Sequence, residues 1–362
     1  MGLEAVLRAY RKDELRHRRR PPAVRYWSDL AVRAAALAMG YALCFAASPL
    51  LYVPGVVLFA LVSVSMIGSW FHDALHGNVP GGRWRVAAIL RAGSAPTGIG
   101  PRWWFHKHVQ LHHRHVGDAR FDPDIQFHYF GRVTADQQWF PQHRYQHLYM
   151  WFLLPFSTLN MLKPSELWTV RREAVQAVLG GRGRRYGWVL LLDKYLPHVL
   201  VWAPLFAWLP LGRAAALYLA FHLIAGTFVS LITQVQHNTD LAEYGGGGET
   251  TASLVTHLRR STDVGQRRGF WYWLSGGTTY HVVHHLAPSL SFQELPYSTK
   301  RLVSALEGTG ERVRVHPGMW AAVKSHGRLI RTLSNPPDEA KAVARGTREN
   351  GPVGEHARPS RA

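Results

Sequence analysis

Residues 51–76 read LYVPGVVLFALVSVSMIGSWFHDALH. The first 21 of these residues, 51–71, carry no charge, and their number matches the roughly 20 residues that a helix needs to cross a bilayer. The run leads directly into His72 and His76, which are four residues apart and therefore lie on one face of a helix. This stretch predicts a membrane span that ends in paired imidazoles, as in a metal site at the membrane surface.

A second apolar segment, 31–50, precedes this span. Ser48 and Pro49 are suited to a tight turn between the two, so the pair predicts a helical hairpin. A signal peptide is the alternative interpretation of 31–50, but a second apolar run follows it at once, which favours retention in the membrane.

A similar pair follows later in the chain. Segments 195–211 and 214–235 are apolar, and Gly212 and Arg213 separate them. Segment 149–162 is too short to span and is predicted to lie in the membrane interface. The predicted fold class is therefore all-α: a polytopic membrane protein with four transmembrane helices in two hairpins and a cytoplasmic helical cap that carries a histidine-rich dimetal site.

The charge distribution predicts the orientation. The chain has 42 Lys and Arg against 23 Asp and Glu, a net charge of +19, and the basic residues flank the apolar segments. The positive-inside rule therefore predicts a multi-pass protein of the cell membrane whose N-terminus, histidines and C-terminus are cytoplasmic. Attraction to anionic membrane lipids explains the excess charge with fewer assumptions than binding to nucleic acid, which we do not expect.

Composition divides the chain into three parts. We expect a basic cytoplasmic segment at 1–30, a membrane domain at 31–334, and a disordered tail at 335–362, which is rich in Pro, Gly, Arg and Glu. Residues 245–248 are four glycines and predict a flexible loop. The single cysteine, Cys44, excludes a disulfide scaffold and any Cys-rich zinc or iron–sulfur site.

The 21 histidines include four groups that two hairpins would place on one side of the membrane. These candidate metal ligands are His72 and His76; His108, His112 and His113; His281, His284 and His285; and His237, which follows the last span. His113 is rotated around the helix axis by about 100° from its neighbour His112 and is therefore suited to a different ion. Nine imidazoles exceed what one ion accepts, so we expect two ions with four or five nitrogen ligands each.

Several alternatives remain open at this point. Nitrogen-only ligation is compatible with zinc, copper, nickel or iron. For any single histidine, a helix cap or a place at the membrane interface is the favoured explanation, and only the clusters together favour a metal site. His237, which stands alone, is the weakest of the nine. His106 and His115 are predicted to support the metal ligands or to face solvent. His143 and His147 are predicted to anchor the interfacial segment or to support the ligands, and His222 either is functional or forms a hydrogen bond to a neighbouring helix. His316 begins the sequence HPGM, which does not match a haem-ligand motif.

The chain resembles the membrane fatty-acid desaturase superfamily. The three groups read HxxxH, HxxxHH and HxxHH, which are similar to the three histidine boxes of that family, and His237 matches its additional ligand. The wider stretches 113–124, 143–151 and 276–288 resemble the bacterial acyl-CoA and acyl-lipid desaturase branch. Two features differ from the front-end branch: His281 stands where that branch has Gln, and no fused haem domain is expected.

The resemblance implies a non-haem centre of two iron ions, bound by the nine histidines, that uses dioxygen as co-substrate. It implies an acyl-CoA, acyl-lipid or acyl-carrier substrate and a separate electron donor, either a ferredoxin or a cytochrome with its reductase. Asp73 is expected to orient a histidine of the first box. Asp122 and Asp124 are expected to do the same or to bind the substrate head group.

The histidine pattern leaves two functions open besides an acyl desaturase. The same site could serve a hydroxylase, ketolase or acetylenase that acts on a lipid, carotenoid or natural-product chain. A non-enzymatic metal-binding or metal-transport protein would need ligands along its spans, and only His222 lies near the middle of one.

Overall fold

The computed structural model describes residues 2–18, 21–164, 183–243 and 252–337, and most of these residues are helical. The helices are α1 (Leu3–Arg16), α2 (Ala23–Leu43), α3 (Pro49–Leu75), α4 (Arg83–Ser94), α5 (101–115), α6 (Gln146–Leu153), α7 (Ser157–Met161), α8 (Gly183–Trp208), α9 (Leu211–His237), α10 (Leu254–Arg260), α11 (Phe270–Leu274), α12 (His281–Leu286), α13 (Leu295–Leu306) and α14 (Met319–Leu333). Strands β1 (Asp263–Val264) and β2 (Val315–His316) form a short parallel pair. The predicted loop 245–248 and most of the predicted tail, 338–362, lie outside the described residues.

Three of the described helices are long and apolar enough to cross a membrane: α3, α8 from Val189 onward, and α9. They contain the predicted spans 51–71, 195–211 (except its last residues) and 214–235. Several apolar side chains of α8, among them Leu196 and Leu200, are exposed, as expected of a surface that faces lipid. The mostly helical class is confirmed, whereas the four-span topology and its orientation stay predictions.

The predicted bounds of the first span, 31–50, are wrong. The helix α2 runs instead from Ala23 to Leu43, and a turn precedes Pro49. Ser48 ends the turn because its hydroxyl accepts a hydrogen bond from the Leu50 amide at 3.3 Å and so caps α3. Charged residues in the first half of α2 lower its apolar character, so it is not among the three candidate spans.

Two of those charged residues, Asp29 and Arg33, face inward and bind the neighbouring elements. Arg33 is buried, with its Nε 2.8 Å from an Asp29 oxygen and its Nη1 3.0 Å from the carbonyl of Trp273. The other Asp29 contact is with the Trp70 indole N–H, at 3.0 Å. Helix α2 therefore holds the end of α3 that leads to the first histidine pair.

The turn of the second hairpin was also misplaced. Helix α8 ends at Trp208 and α9 begins at Leu211, so Gly212 and Arg213 belong to α9. Arg213 donates to the carbonyls of Cys44 and Ala46 and thereby links the two hairpins at the end distant from the histidines.

Segment 149–162 forms helices α6 and α7 with a 3-10 turn at Leu154–Phe156 between them. The turn packs against α9: a Cβ added at Gly226 would lie 2.0 Å from the carbonyl oxygen of Pro155, so only glycine permits this approach. The main apolar core lies between α2, α3, α8 and α9, where Phe59, Trp202 and Phe221 pack together.

Candidate metal centre

The structure brings all nine predicted histidines together in two adjacent groups, and each group collects residues that are distant in the chain. The first group contains His72, His76, His108, His113 and His284, and the second contains His112, His237, His281 and His285. His112 and His113 belong to different groups, as do His284 and His285. Adjacent histidines therefore face two different centres.

The nitrogen atoms of each group are closely spaced. In the second group, the Nε2 atom of His237 lies 2.7 Å from that of His281 and 3.1 Å from that of His285, and the last two are 3.0 Å apart. In the first group, the Nε2 atom of His108 lies 2.9 Å from that of His72 and 3.2 Å from that of His113.

These distances fit a metal better than hydrogen bonds. A neutral imidazole has one N–H, so three Nε2 atoms that all face one another cannot each find an acceptor. Ligand nitrogens about 2.1 Å from a common ion are separated by about 3 Å, which is the spacing within both groups. Nitrogen donors with one nearby carboxylate, Asp124, suit a first-row transition metal such as iron.

Local backbone geometry places the first two boxes. Both α3 and α5 contain a π-helical segment, Ile67–Phe71 directly before His72 and Phe105–His112 around the second box. Segments of this kind are frequent at functional sites because they rotate the side chains that follow. The sequence pattern did not predict them.

The third box is fixed by a close backbone crossing. A Cβ at Gly68 would lie 2.2 Å from the carbonyl oxygen of Ser275, and one at Gly276, where φ is +62°, would lie 2.1 Å from the Gly68 carbonyl carbon. The two glycines let the turn before α12 rest directly on α3. The buried carboxylate of Asp263, which sequence reasoning missed, then accepts a hydrogen bond from the Val282 amide at 2.9 Å.

Two hydrogen bonds orient two of the four histidines of the second group. The Nδ1 atom of His112 lies 2.9 Å from Oδ1 of the buried Asp122, and Nδ1 of His237 lies 3.0 Å from the carbonyl oxygen of Arg260. Acceptors at Nδ1 keep the proton there and leave the Nε2 lone pair facing the group. The orienting role expected of Asp122 agrees with this contact.

The role expected of Asp73 is wrong. Its carboxylate accepts from the Tyr26 hydroxyl at 2.9 Å and from the Phe292 amide at 3.2 Å. As the residue after His72, it is rotated by about 100° around the helix and faces α2 instead of the histidines.

Burial controls the charge of the imidazoles outside the spans. It lowers the pKa of His108, His113, His281, His284 and His285 well below the ordinary value, so these rings are neutral and able to ligate a metal. Burial also acts to lower the pKa of His112, but the carboxylates of Asp122 and Asp124 outweigh it and raise this pKa.

The remaining histidines lie outside both groups. The His143 ring accepts from the Phe140 amide, His147 contacts the Ser334 hydroxyl, and His222 contacts Thr158. His257 was not singled out from the sequence, yet it is buried and its ring stacks on that of His285 with centroids 5.4 Å apart. It stands alone in the sequence pattern, so spacing gave no indication of this contact.

A mostly apolar cavity connects the candidate spans to the histidines. Ile67 of α3, Trp104 of α5, and Val229 and Ile232 of α9 line its walls. Histidines of both groups also line it, namely His72, His108, His112, His237 and His281. An apolar molecule in this cavity would reach both centres.

Comparison with known proteins identifies the family of this arrangement. A model of the family described as "Fatty acid desaturase" matches residues 47–316. The chain is 28% identical over 336 residues to an acyl-lipid (7-3)-desaturase of Rebecca salina, a match that covers 86% of this chain and 70% of that protein.

Two further relatives show lower identity. An acyl-lipid (8-3)-desaturase of Physcomitrium patens is 24% identical over 70% of this chain, and the match covers 55% of the relative's length. An sn-1 linoleoyl-lipid 6-desaturase of Arthrospira platensis is 22% identical, with 75% of each protein covered.

Proposed function

This chain belongs to the fatty acid desaturase family, and on that premise we propose that it is an iron-dependent oxidoreductase that introduces a double bond into the acyl chain of a membrane lipid. The observation that carries the proposal is the mostly apolar cavity whose lining includes histidines of both groups. The acyl-lipid substrate is favoured over acyl-CoA and acyl-carrier substrates because the relatives are named acyl-lipid desaturases.

The cavity supplies binding and position. Each methylene group that leaves water contributes about 0.8 kcal/mol, so a few methylenes held between α3 and α9 anchor the chain. Ile67 of α3 and Val229 of α9 both line the cavity, and the ring of Trp104, which also lines it, stacks on that of His108 with centroids 6.2 Å apart. Fixing the chain in this way determines which carbon atoms face the histidines.

The nine histidines are proposed to hold two iron ions, which when bound would supply the activation of dioxygen and the removal of hydrogen from an unactivated chain. The overall reaction consumes one dioxygen, two external electrons and two protons, removes two hydrogen atoms from the chain, and releases two water molecules. Asp122 and the Arg260 carbonyl hold protons at Nδ1 of His112 and His237, so both rings keep Nε2 available.

The proposal also concerns the location of the enzyme in the cell. Three helices that are long and apolar enough to span a membrane support a position among membrane lipids, and the basic flanks of those helices favour a cytoplasmic position for the histidines and both termini. The two electrons then come from a separate carrier in the cytoplasm.

Expression in a host of known lipid composition tests the function. We expect a new fatty acid, lighter than its precursor by two hydrogens, in cells that express the wild type but not His112→Ala. His106→Ala is the matched control, because His106 lies on the same helix, contacts Gln110 and belongs to neither group. The purified wild type should contain iron.

The products also separate the alternatives. A product that gains oxygen identifies a hydroxylase or ketolase. An unchanged lipid profile together with purified protein that takes up no iron contradicts the proposal, as does equal loss of product in both histidine variants.

A further inference from the structure

The N-terminal helix α1 lies before the region matched by the family and has two distinct faces. Leu7, Tyr10 and Glu14 form its buried face, and Tyr10 contacts Ser298 of α13 through its hydroxyl. This face joins an apolar cluster that includes residues of α10, α12 and α13. Helix α1 is therefore fixed to the body that carries the third histidine box.

The neighbouring face of α1, about 100° around the helix, is exposed and mostly basic. Arg8, Arg11, Lys12 and Leu15 follow one another at helical spacing and form one wall of a cleft of about 1060 Å³. Arg114, at the end of α5, adds a further cation to this cleft.

The positive charge of the cleft is largely unbalanced. Among the described residues that line the cleft, Glu4 is the one carboxylate, and it bonds to Arg8 at 3.1 Å and to the Val255 amide at 3.2 Å. Arg11, Lys12 and Arg114 form no ion pair with any described residue. Four cations against one carboxylate make the cleft attractive to an acidic partner.

The floor of the cleft is the histidine cluster itself. His113 of the first group and His285 of the second line it, and so does His257, whose ring stacks on that of His285. The mostly apolar cavity that is proposed to hold the acyl chain, here called the acyl cavity, is lined by five other histidines of the cluster. It shares no lining residue with the cleft. The two openings therefore reach the candidate metal centre through different histidines.

This separation selects the occupant. The head group of an acyl lipid must be continuous with its chain, and a chain in the acyl cavity would have to pass through the packed imidazoles to reach the cleft. A volume of about 1060 Å³ also exceeds most small-molecule pockets. A protein partner that needs access to the metals but not to the substrate does not have to pass through the imidazoles, and it is large enough for a cleft of this size.

We propose that the cleft formed by α1, α10 and the end of α5 is the docking surface for an acidic electron-carrier protein, which delivers electrons to the centre through His113 and His285. The inference rests on the proposed function. Each carrier binds reduced, transfers one electron and leaves oxidised, so two encounters supply the two electrons of one turnover. Transient redox complexes bury little surface, which suits one helix face and a few side chains.

Charge reversal on α1 tests the surface. The variant Arg11→Glu/Lys12→Glu changes two exposed residues, and Lys324→Glu/Arg331→Glu on α14 is the matched control, with the same change in net charge on exposed residues outside the cleft. The full-length protein is reconstituted with an acidic [2Fe–2S] ferredoxin or, separately, an acidic cytochrome as the probe. We expect the α1 variant to raise the KM for the carrier at least tenfold at low salt, and to remove most of the salt dependence of the wild type, while the control changes the KM less than twofold.

A single turnover driven by a chemical reductant separates this proposal from the proposed function. If the chemically reduced wild type forms no double bond, the function itself fails. If it forms the double bond but accepts electrons from neither carrier, or if the α1 and α14 variants raise the KM equally, the docking surface is wrong. A rise in the KM for anionic lipid substrates alone would instead identify a head-group site and would also overturn the proposal.

Discussion

The contact between Asp122 and His112 gives a quantitative test of the candidate metal centre. Asp122 is buried, and its carboxylate accepts from His112 Nδ1 at 2.9 Å, from the Gly117 amide at 2.7 Å and from the Asp124 amide at 2.9 Å. Asp122→Asn keeps the size of the side chain but replaces one acceptor oxygen with an NH₂ donor. That donor must face at least one of the three N–H groups, so His112 loses its fixed orientation or the loop loses an amide bond.

Loss of such an orienting carboxylate typically weakens metal binding or activity by about 10- to 100-fold, which corresponds to about 1.4 to 2.8 kcal/mol. We expect Asp122→Asn to lower iron affinity by this factor in a competition with a chelator, and to lower the rate of double-bond formation at limiting iron. Excess iron should restore part of that rate.

Asp118→Asn is the matched control. Asp118 lies in the same loop and is buried, but its carboxylate bonds to the Arg120 amide at 2.8 Å and contacts no histidine in the described structure. Unchanged iron affinity in Asp122→Asn, or an equal loss in Asp118→Asn, would refute the argument that Asp122 acts through His112.

Three other predictions concern stability. Gly68→Ala places a methyl group 2.2 Å from the Ser275 carbonyl oxygen, so thermal unfolding should show a loss of about 1–3 kcal/mol, whereas Gly212→Ala, which meets open space, should lose nothing. Burial lowers the pKa of His326 to about 4, although its bond to the Asn238 carbonyl opposes the shift. The ring is then neutral in the folded protein, whereas in the unfolded chain it takes up a proton below about pH 6.5. The contribution of His326 to the free energy of unfolding is therefore complete above that pH and is lost as the pH falls toward 4. The stability of the wild type relative to His326→Gln should therefore fall by about 2 kcal/mol between pH 7.5 and pH 5. Removal of iron with a chelator should lower the unfolding temperature of the wild type, because a ligand that binds only the folded state stabilises it.

Each of these predictions has a result that contradicts it. Equal stability of the two glycine variants would mean that the crossing of α3 and the turn before α12 is looser than described. A constant difference between wild type and His326→Gln across the pH range would mean that His326 does not titrate on unfolding. An unfolding temperature of the wild type that is the same with and without the chelator would argue against a bound metal.

The sequence predicted which histidines form the cluster better than it predicted the residues that hold them in place. Helical spacing was sufficient to separate His112 from His113, because neighbouring residues on a helix face different directions. The same rule, applied to Asp73, would have shown that it faces away from His72.

Other features left no pattern in the sequence. Asp263 and Arg33 act through contacts with residues distant in the chain, and a solitary polar residue carries no periodicity. The hairpin turns were misplaced for a local reason: hydropathy marks where apolar residues are, whereas Ser48 and Pro210 mark where helices α3 and α9 begin.

The assignment of His284 and His285 to different groups has a consequence for biosynthesis. When a ribosome has completed the chain as far as α9, four ligands of the first group are present but only His112 and His237 of the second. Helix α12 then provides one histidine to the first group and two to the second within five residues. A nascent chain thus holds most of the first group early, but both groups are complete only when α12 emerges. On the proposed function, this order delays oxygen chemistry until the acyl cavity, which His281 of α12 also lines, has been built.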